Sequence, residues 1–157
     1  MNDASSVHAT TVVEHRFAAT PAVVFDAWAD VDKRGQWDLP GGDDWELVEL
    51  KQDFRVGGRE SARFGPKGAA TFWSSGEFLD IVDDMRIVSA GTMHDGDRRT
   101  SATMCTVEFF ADGTGTRLVL TDQSAFLDGE APQDRKSGWG KIVVRLGLFL
   151  NDPKARH

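Results

Sequence analysis

The sequence predicts an α+β domain in which one antiparallel sheet curls around a long C-terminal helix. Residues 133–150 have the apolar spacing of a helix, and the segments upstream alternate apolar and polar residues between turns of hairpin length. Consecutive strands joined by hairpins form an antiparallel meander, and a meander of this size curls because sheets twist. The concave side of that sheet is then the only surface large enough to cover the apolar side of the helix.

The composition is that of one globular domain. The chain has 157 residues, of which 40% are hydrophobic and 27% charged. Its 18 basic and 25 acidic side chains give a formal net charge of -7, which disfavours binding to nucleic acid or anionic lipid. No apolar run approaches the roughly 20 residues of a membrane span. We therefore expect no nucleic-acid or membrane partner.

The N-terminal sequence and the cysteine content favour a cytoplasmic location. The first residues lack the basic and apolar regions of a signal peptide. Cys105 is the single cysteine, so an internal disulfide is excluded, as is typical of a reducing compartment. Five Trp and ten Phe are a large aromatic content for one core, and they favour an aromatic-lined cavity.

The first strand is predicted at residues 10–18, where apolar and polar residues alternate. Val13, His15 and Phe17 fall on one face of this segment, which we expect to point inward. Residues 1–9 are small and polar, and they are predicted to form a loose tail.

Two short helices are predicted after this strand. Thr20 is a suitable N-cap, and Pro21 has the backbone angle that the first helical position requires. The first helix is expected to end near residue 30. Residues 31–37 are expected to form a second short helix, which the Pro-Gly-Gly sequence of loop 39–44 ends.

Six further strands complete the predicted sheet. Turn sequences rich in Gly, Asp and Pro separate them, at residues 57–58, 65–68, 83–84, 95–97 and 111–115. The strands are predicted at residues 45–54, 59–64, 70–81, 86–93, 100–110 and 116–121.

The C-terminal helix has two different faces. Its wide apolar face is formed by Trp139, Ile142, Val143, Leu146 and Leu150, with Phe149 at the edge. Val144 and Leu148 point almost the opposite way, and an outward apolar pair on a terminal helix is a candidate homodimer contact. Coverage by the N-terminal tail or by residues 40–44 is the alternative.

Five short motifs, in this order, resemble those of the START-like (SRPBCC) superfamily. The resemblance runs from about residue 11 to residue 150, and it points to the branch named for the activator of heat-shock-protein-90 ATPase. The motifs are Ala18-Ala19-Thr20-Pro21 with Val24-Phe25, Trp28 and Trp37; Phe54-Arg55-Val56-Gly57-Gly58-Arg59; Gly76-Glu77-Phe78-Leu79-Asp80-Ile81 with Arg86-Ile87-Val88; Gly115-Thr116-Arg117-Leu118; and Gly138-Trp139 followed by a helix.

This resemblance implies a helix-grip fold with a cavity between the sheet and the long helix. Superfamily members bind lipids, sterols, polyketides or plant hormones there, a few catalyse cyclisation, and the eponymous branch stimulates a chaperone ATPase. The sequence departs from the family pattern at Glu60, where an aromatic or aliphatic residue is usual, and at Val82-Asp83-Asp84, where two prolines are usual. Glu60 would place a carboxylate in the cavity.

Eleven residues are predicted to line this cavity. Trp45 and Phe72 are further aromatic candidates, and a solid core built from these side chains is the alternative. The eleven are His15, Phe17, Trp37, Glu60, Phe64, Trp73, Phe78, Phe109, Trp139, Val143 and Leu146.

His15 and Glu60 are the two candidates for chemistry. If both line one cavity, they could hold a polar ligand group or act as an acid–base pair in a cyclase or hydrolase. The alternative is that each is satisfied locally, for Glu60 by Arg63, Arg86 or a backbone group. Cys105 has no feature that would activate it, and His8, His15, His94 and His157 have no paired spacing that would favour a metal site.

Three functions remain open from the sequence. The first is a non-enzymatic domain that binds a small hydrophobic molecule, with loop 39–44 bordering the cavity mouth. The second is a partner protein, such as a chaperone regulator or stress-response accessory. The third is the enzyme that uses His15 and Glu60. No catalytic or nucleotide-binding motif is present, and we expect no cofactor.

Overall fold

The computed structural model describes residues 5–152, and the seven strands in this range form one open antiparallel sheet. The spatial order of the strands is β1-β7-β6-β5-β4-β3-β2, which is a meander from β2 to β7 with β1 added beside β7. The predicted α+β helix-grip architecture is confirmed. The elements are β1 (Ser6–Phe17), α1 (Pro21–Ala29), α2 (Val31–Arg34), β2 (Trp45–Gln52), β3 (Arg59–Pro66), β4 (Phe72–Val82), β5 (Arg86–Asp95), β6 (Arg98–Asp112), β7 (Gly115–Leu127) and α3 (Gln133–Asn151).

The pairing of β1 with β7 is longer than predicted. It runs from Ser6 opposite Leu127 to Phe17 opposite Thr116. Residues 6–9 therefore belong to the sheet rather than to a loose tail, while residues 1–4 of that predicted tail lie outside the described residues. The strand β7 likewise extends six residues beyond the predicted end, because β1 and β6 satisfy its backbone on both sides.

A pair of facing glycines lies in the middle of the sheet. Gly76 of β4 pairs with Gly91 of β5. A Cβ atom on Gly91 would lie 2.2 Å from the carbonyl oxygen of Ser75, so only glycine allows the two backbones to approach this closely. Register shifts also occur between Phe78 and Asp80 on β4 and between Met93 and His94 on β5, and such bulges bend the strands.

The two short helices begin as predicted. The hydroxyl of Thr20 accepts a hydrogen bond from the backbone N–H of Val23, and Pro21 is the first residue of α1. The carboxylate of Asp30 caps α2 by accepting from two backbone N–H groups. The helix α2 ends at Arg34, three residues before the predicted end.

The apolar face of α3 packs on the concave side of the sheet. Its buried residues are Ile142, Val143, Leu146 and Leu150, and Trp139 packs partly buried against the same core. The strands β1, β6 and β7 and the helix α1 supply most of the remaining core side chains, including Phe17, Val24, Phe25, Trp28, Val107, Phe109, Leu118 and Leu120. Most of the α3 side chains in the core therefore come from its C-terminal half. No helix in the described part of the chain is long and apolar enough to cross a membrane.

Candidate ligand-binding cavity

A cavity of about 790 Å³ lies between the sheet and the N-terminal half of α3. Its walls come from β2 to β7, from residues 134–142 of α3, and from Pro40, Gly41, Gly42 and Asp44 of loop 39–44. We call it the sheet–helix cavity. Its volume falls within the roughly 300–1,000 Å³ of small-molecule sites in proteins. Loop 39–44 lies at the border of the sheet–helix cavity, as predicted from the sequence.

The structure brings together four of the eleven residues predicted to line a cavity. Glu60 and Phe64 of β3, Phe78 of β4 and Trp139 of α3 all line the sheet–helix cavity. Trp45 and Phe72, the additional aromatic candidates, line it as well. Contact of these residues with a ligand stays a prediction.

Five of the other predicted residues belong to the solid core. These are Phe17, Trp37, Phe109, Val143 and Leu146. The helix α1 fills the space that the prediction left open, because the Phe109 ring lies 5.5 Å from that of Phe25 and the Trp37 ring lies 4.7 Å from that of Trp28. Their predicted place in the cavity is corrected accordingly, because none of the five lines it.

Trp73 points away from the cavity. It pairs with His94 across β4 and β5, and the two rings stack with centroids 3.6 Å apart. The indole N–H donates to the carbonyl oxygen of Gly96 at 3.0 Å. Burial first, and then the charge of Arg99, lower the pKa of His94. Phe72, which precedes Trp73 on β4, faces the cavity, since successive residues of a strand point to opposite sides of the sheet.

His15 faces inward as predicted, but it does not reach the sheet–helix cavity. Its ring lies 4.8 Å from the ring of Phe17, and a Cβ atom on Gly147 of α3 would lie 3.9 Å from its Nε2 atom. His15 is thus packed beneath the C-terminal half of α3, whereas Glu60 lines the cavity. The two side chains do not form the acid–base pair that the enzyme hypothesis requires.

The partner of Glu60 is Arg34, not Arg63 or Arg86. One guanidinium nitrogen of Arg34 donates to Glu60 at 3.0 Å and to Gln52 at 2.7 Å, and another donates to Asp38 at 2.8 Å. We call these four residues the Arg34 cluster. Burial alone would lower the pKa of Arg34, but the charges of Glu60 and Asp38 and the hydrogen bonds to them raise it above its ordinary value. The guanidinium therefore stays protonated, and the carboxylates of Glu60 and Asp38 balance its charge.

A second polar cluster joins α3 to the sheet. Asp122 of β7 accepts from Arg135 at 3.0 Å, from the indole N–H of Trp139 at 2.8 Å and from the hydroxyl of Ser124 at 2.5 Å. Arg135 also donates to Ser101 at 2.6 Å. We call these the Asp122 cluster. Every oxygen of this buried carboxylate has a donor, so the cluster is satisfied within the protein.

The thiol of Cys105 lines the cavity near both clusters. Burial raises its pKa, and the charges of Asp122 and Glu60 raise it further. The thiol therefore stays protonated at neutral pH, and it is a poor nucleophile. In residues 5–152, no group of three or more His, Cys, Asp or Glu side chains is arranged to hold a metal ion.

Three aromatic rings form one wall of the cavity. Trp45 of β2 lies parallel to Phe72 of β4 with ring centroids 5.6 Å apart, and Phe72 lies parallel to Phe64 of β3 at 5.9 Å. Gly41 packs on Trp45 so closely that a Cβ atom would overlap the indole ring. Loop 39–44 is also fixed to α3, because Arg145 donates to the carbonyl oxygens of Gly41 and Gly42. This wall is thus a preformed apolar surface.

Sequence reasoning missed the residues whose role depends on distant partners. Arg34 and Asp38 have the (i, i+4) spacing of an ion pair, but nothing local connects them with Glu60. Asp122, Ser124 and Phe126 continue the alternation of β7, which is the pattern that could have extended that strand. Arg135 is recognisable only as a basic residue in the first turn of α3.

An open antiparallel sheet with a helix across its concave side and a cavity between them defines a START-like helix-grip domain. A family model described as "Activator of Hsp90 ATPase homolog 1-like protein" matches residues 18–150. The chain belongs to this family, as the sequence motifs predicted. No curated protein matches the sequence.

Solved structures of bacterial proteins have the same fold. An uncharacterized protein from Rhizobium leguminosarum is 36% identical, with a TM-score of 0.84 over 93% of this chain and 96% of its own. Protein Mll3558 from Rhizobium loti is also 36% identical, with a TM-score of 0.83 over 92% of this chain and 99% of its own. Protein CV1439 from Chromobacterium violaceum is 20% identical, with a TM-score of 0.79 over 91% and 97% of the two chains.

Proposed function

We propose that this domain binds a small, largely apolar molecule in the sheet–helix cavity. The observation that supports the proposal is the size of the cavity together with its apolar wall of Trp45, Phe64 and Phe72. Burial of apolar ligand surface contributes roughly 25 cal/mol per Å². Binding of this kind needs no catalytic residue, in keeping with the separation of His15 from Glu60.

Reducing the volume of the cavity is expected to weaken binding. Ala62 of β3 lines the cavity, so in Ala62→Phe the new ring occupies the volume that a ligand would use. We expect the neutral dye Nile red to bind the natural protein with a rise in fluorescence, and Ala62→Phe to weaken binding by about tenfold or more, the loss expected for roughly 1.4 kcal/mol. Fluorescence titration measures both affinities.

The matched control is Ala102→Phe. Ala102 lies on β6 and is exposed, and it does not line the cavity. Dye affinity in this variant should equal that of the natural protein. Absence of dye binding to the natural protein, or an equal loss in both variants, contradicts the proposal.

A second candidate function is a protein contact, which the outer face of α3 favours. Val144 and Leu148 are 54% and 68% exposed there, and loop 39–44 leaves them uncovered although it is fixed to the neighbouring Arg145. Such a pair could support a homodimer or, as the family description suggests, a chaperone partner. Stimulation of a heat-shock-protein-90 ATPase by the purified domain would test the chaperone version directly.

The homodimer version predicts a change of mass. If two copies associate through this face, Leu148→Glu places a charge in the interface, and the protein should sediment as a monomer where the natural protein sediments as a dimer. Val12→Glu is the control, because Val12 is also apolar and is 52% exposed, but lies on β1. An unchanged monomeric mass for all three proteins excludes the dimer.

A further inference from the structure

Glu60 presents an unused carboxylate oxygen to the sheet–helix cavity. Its Oε2 atom accepts from Arg34 at 3.0 Å, whereas no group in residues 5–152 donates to its Oε1 atom. The protein does not seal Oε1 either, because the indole nitrogen of Trp28 is the only buried side-chain nitrogen or oxygen in that range without a partner. The Glu60 side chain keeps 22% exposure on the inward face of β3 and lines the cavity. An occupant of the cavity can therefore reach this acceptor.

The Arg34 cluster carries one negative charge in excess. Arg34 is its only basic residue, and it lies between the carboxylates of Glu60 and Asp38, at 3.0 and 2.8 Å. Gln52, the fourth member, is neutral. One guanidinium balances one of the two carboxylates, so the cluster as a whole attracts a cation. The wider lining has the same sign, because it contains three basic and six acidic side chains among the described residues.

Two glycines leave the floor of the cavity open beside Glu60. Glu60 pairs with Gly76 of β4, and Gly76 pairs with Gly91 of β5. Thr103 of β6 follows in the same row. Both glycines line the cavity, and they have no side chain to fill the space between Glu60 and Thr103. With strands about 4.8 Å apart, this open stretch spans roughly 14 Å from β3 to β6. A molecule that lies along it meets Glu60 at one end.

The aromatic wall supplies the apolar contact for the rest of such a molecule. Phe64 is on the same face of β3 as Glu60, and its ring lies parallel to that of Phe72, which in turn lies parallel to Trp45. The faces of aromatic rings attract cations as well as apolar groups. A carboxylate or phosphate in the same place would lose its hydration and meet a net negative lining. The cavity therefore favours an occupant that is apolar and positively charged at one end.

We propose that the occupant is an amphiphilic amine, and that its ammonium group donates a hydrogen bond to Glu60. This inference rests on the proposed function and narrows it to one ligand class. The ammonium supplies the second positive charge that the two carboxylates of the Arg34 cluster lack. Glu60 is thus a specificity-determining residue, and it selects against carboxylates of the same shape.

Three ligands of equal chain length separate the effect of charge from that of apolar area. They are octylamine, which is cationic at neutral pH; 1-octanol, which is neutral; and octanoate, which is anionic. Isothermal titration calorimetry on the full chain measures their affinities, and displacement of Nile red shows whether they enter the cavity. We expect the amine to bind about tenfold more tightly than the alcohol, the difference that a charge-assisted hydrogen bond supplies. Octanoate should bind most weakly of the three.

The variant Glu60→Gln tests which residue recognises the ammonium group. It keeps the shape of the side chain and removes its charge, so the tenfold preference for the amine should disappear. Glu77→Gln is the matched control, because it changes the net charge equally at an exposed residue of β4 that does not line the cavity. In that variant the preference should persist. If Glu60→Gln does not fold, Asp38→Asn removes the other carboxylate charge of the cluster and should also reduce the preference.

The outcomes distinguish this inference from the proposed function beneath it. Failure of Nile red and of all three ligands to bind would overturn both. If the natural protein binds the alcohol as tightly as the amine, or binds octanoate most tightly, the inference is wrong and the cavity still binds apolar molecules. The inference is equally wrong if the amine leaves Nile red in place, if Glu60→Gln keeps the full preference, or if Glu77→Gln loses as much of it.

Discussion

Replacing Asp122 with alanine is expected to lower the free energy of unfolding by about 3 kcal/mol. The carboxylate is 1% exposed and accepts from Arg135, Trp139 and Ser124, so its removal leaves a guanidinium without its counter-charge and an indole N–H without its acceptor. The effect should lie at the low end of the range for a broken buried ion pair, because the Arg135 side chain keeps 17% exposure. Urea denaturation followed by circular dichroism measures it.

Asp112→Ala is the matched control for this experiment. Asp112 pairs with Arg16 at 2.8 Å on the same sheet, but both side chains are exposed. Exposed ion pairs contribute about 1 kcal/mol or less, so the control should be close to the natural protein. Equal losses in the two variants would show that the Asp122 cluster does not stabilise the contact between α3 and the sheet.

Leu146→Ala is expected to be equally destabilising, by about 2–5 kcal/mol. Leu146 is 0% exposed and packs in the core with Leu118 and Leu120 of β7. Truncation removes buried apolar area and leaves a cavity in a close-packed part of the core. The free energy of unfolding from urea denaturation is the relevant measurement.

Leu148→Ala separates packing from helix propensity. The same substitution two residues away on α3 changes the helical preference equally, but Leu148 is exposed. Its effect in the monomer should stay within about 0.5 kcal/mol. A loss in Leu148→Ala as large as that in Leu146→Ala would contradict the assignment of the two helical faces.

Local patterns predicted most of the fold. Alternation and turn residues located all seven strands, and the Thr20-Pro21 pair located the start of α1, because these features act through neighbouring residues. The errors in the predicted strand lengths arise where the structure depends on residues that are distant in the sequence. The additional length of β1 and β7 comes from their mutual pairing, which joins residues 99 to 121 positions apart.

The cavity was less predictable than the fold for two physical reasons. Trp73 and Phe78 cannot both point inward on a regular strand, so the strict period of two already favoured Phe72 over Trp73. The second reason is three-dimensional. The place of α1 on the concave side decides which inward side chains are covered, and it separates Phe109 from the cavity, whereas His15 lies beneath the C-terminal half of α3. The spacing of residues in the sequence does not show which part of the sheet α1 covers.

The division of α3 has an evolutionary consequence. Its C-terminal half holds the core through Leu146 and Leu150, whereas its N-terminal half meets the cavity through Arg135 and Trp139. Under the proposed function, substitutions at cavity-lining positions outside the Asp122 cluster, such as Ser137 and Lys141, alter what is bound with little penalty to the scaffold around residue 146. A domain arranged in this way can diversify its ligands among relatives while one architecture persists.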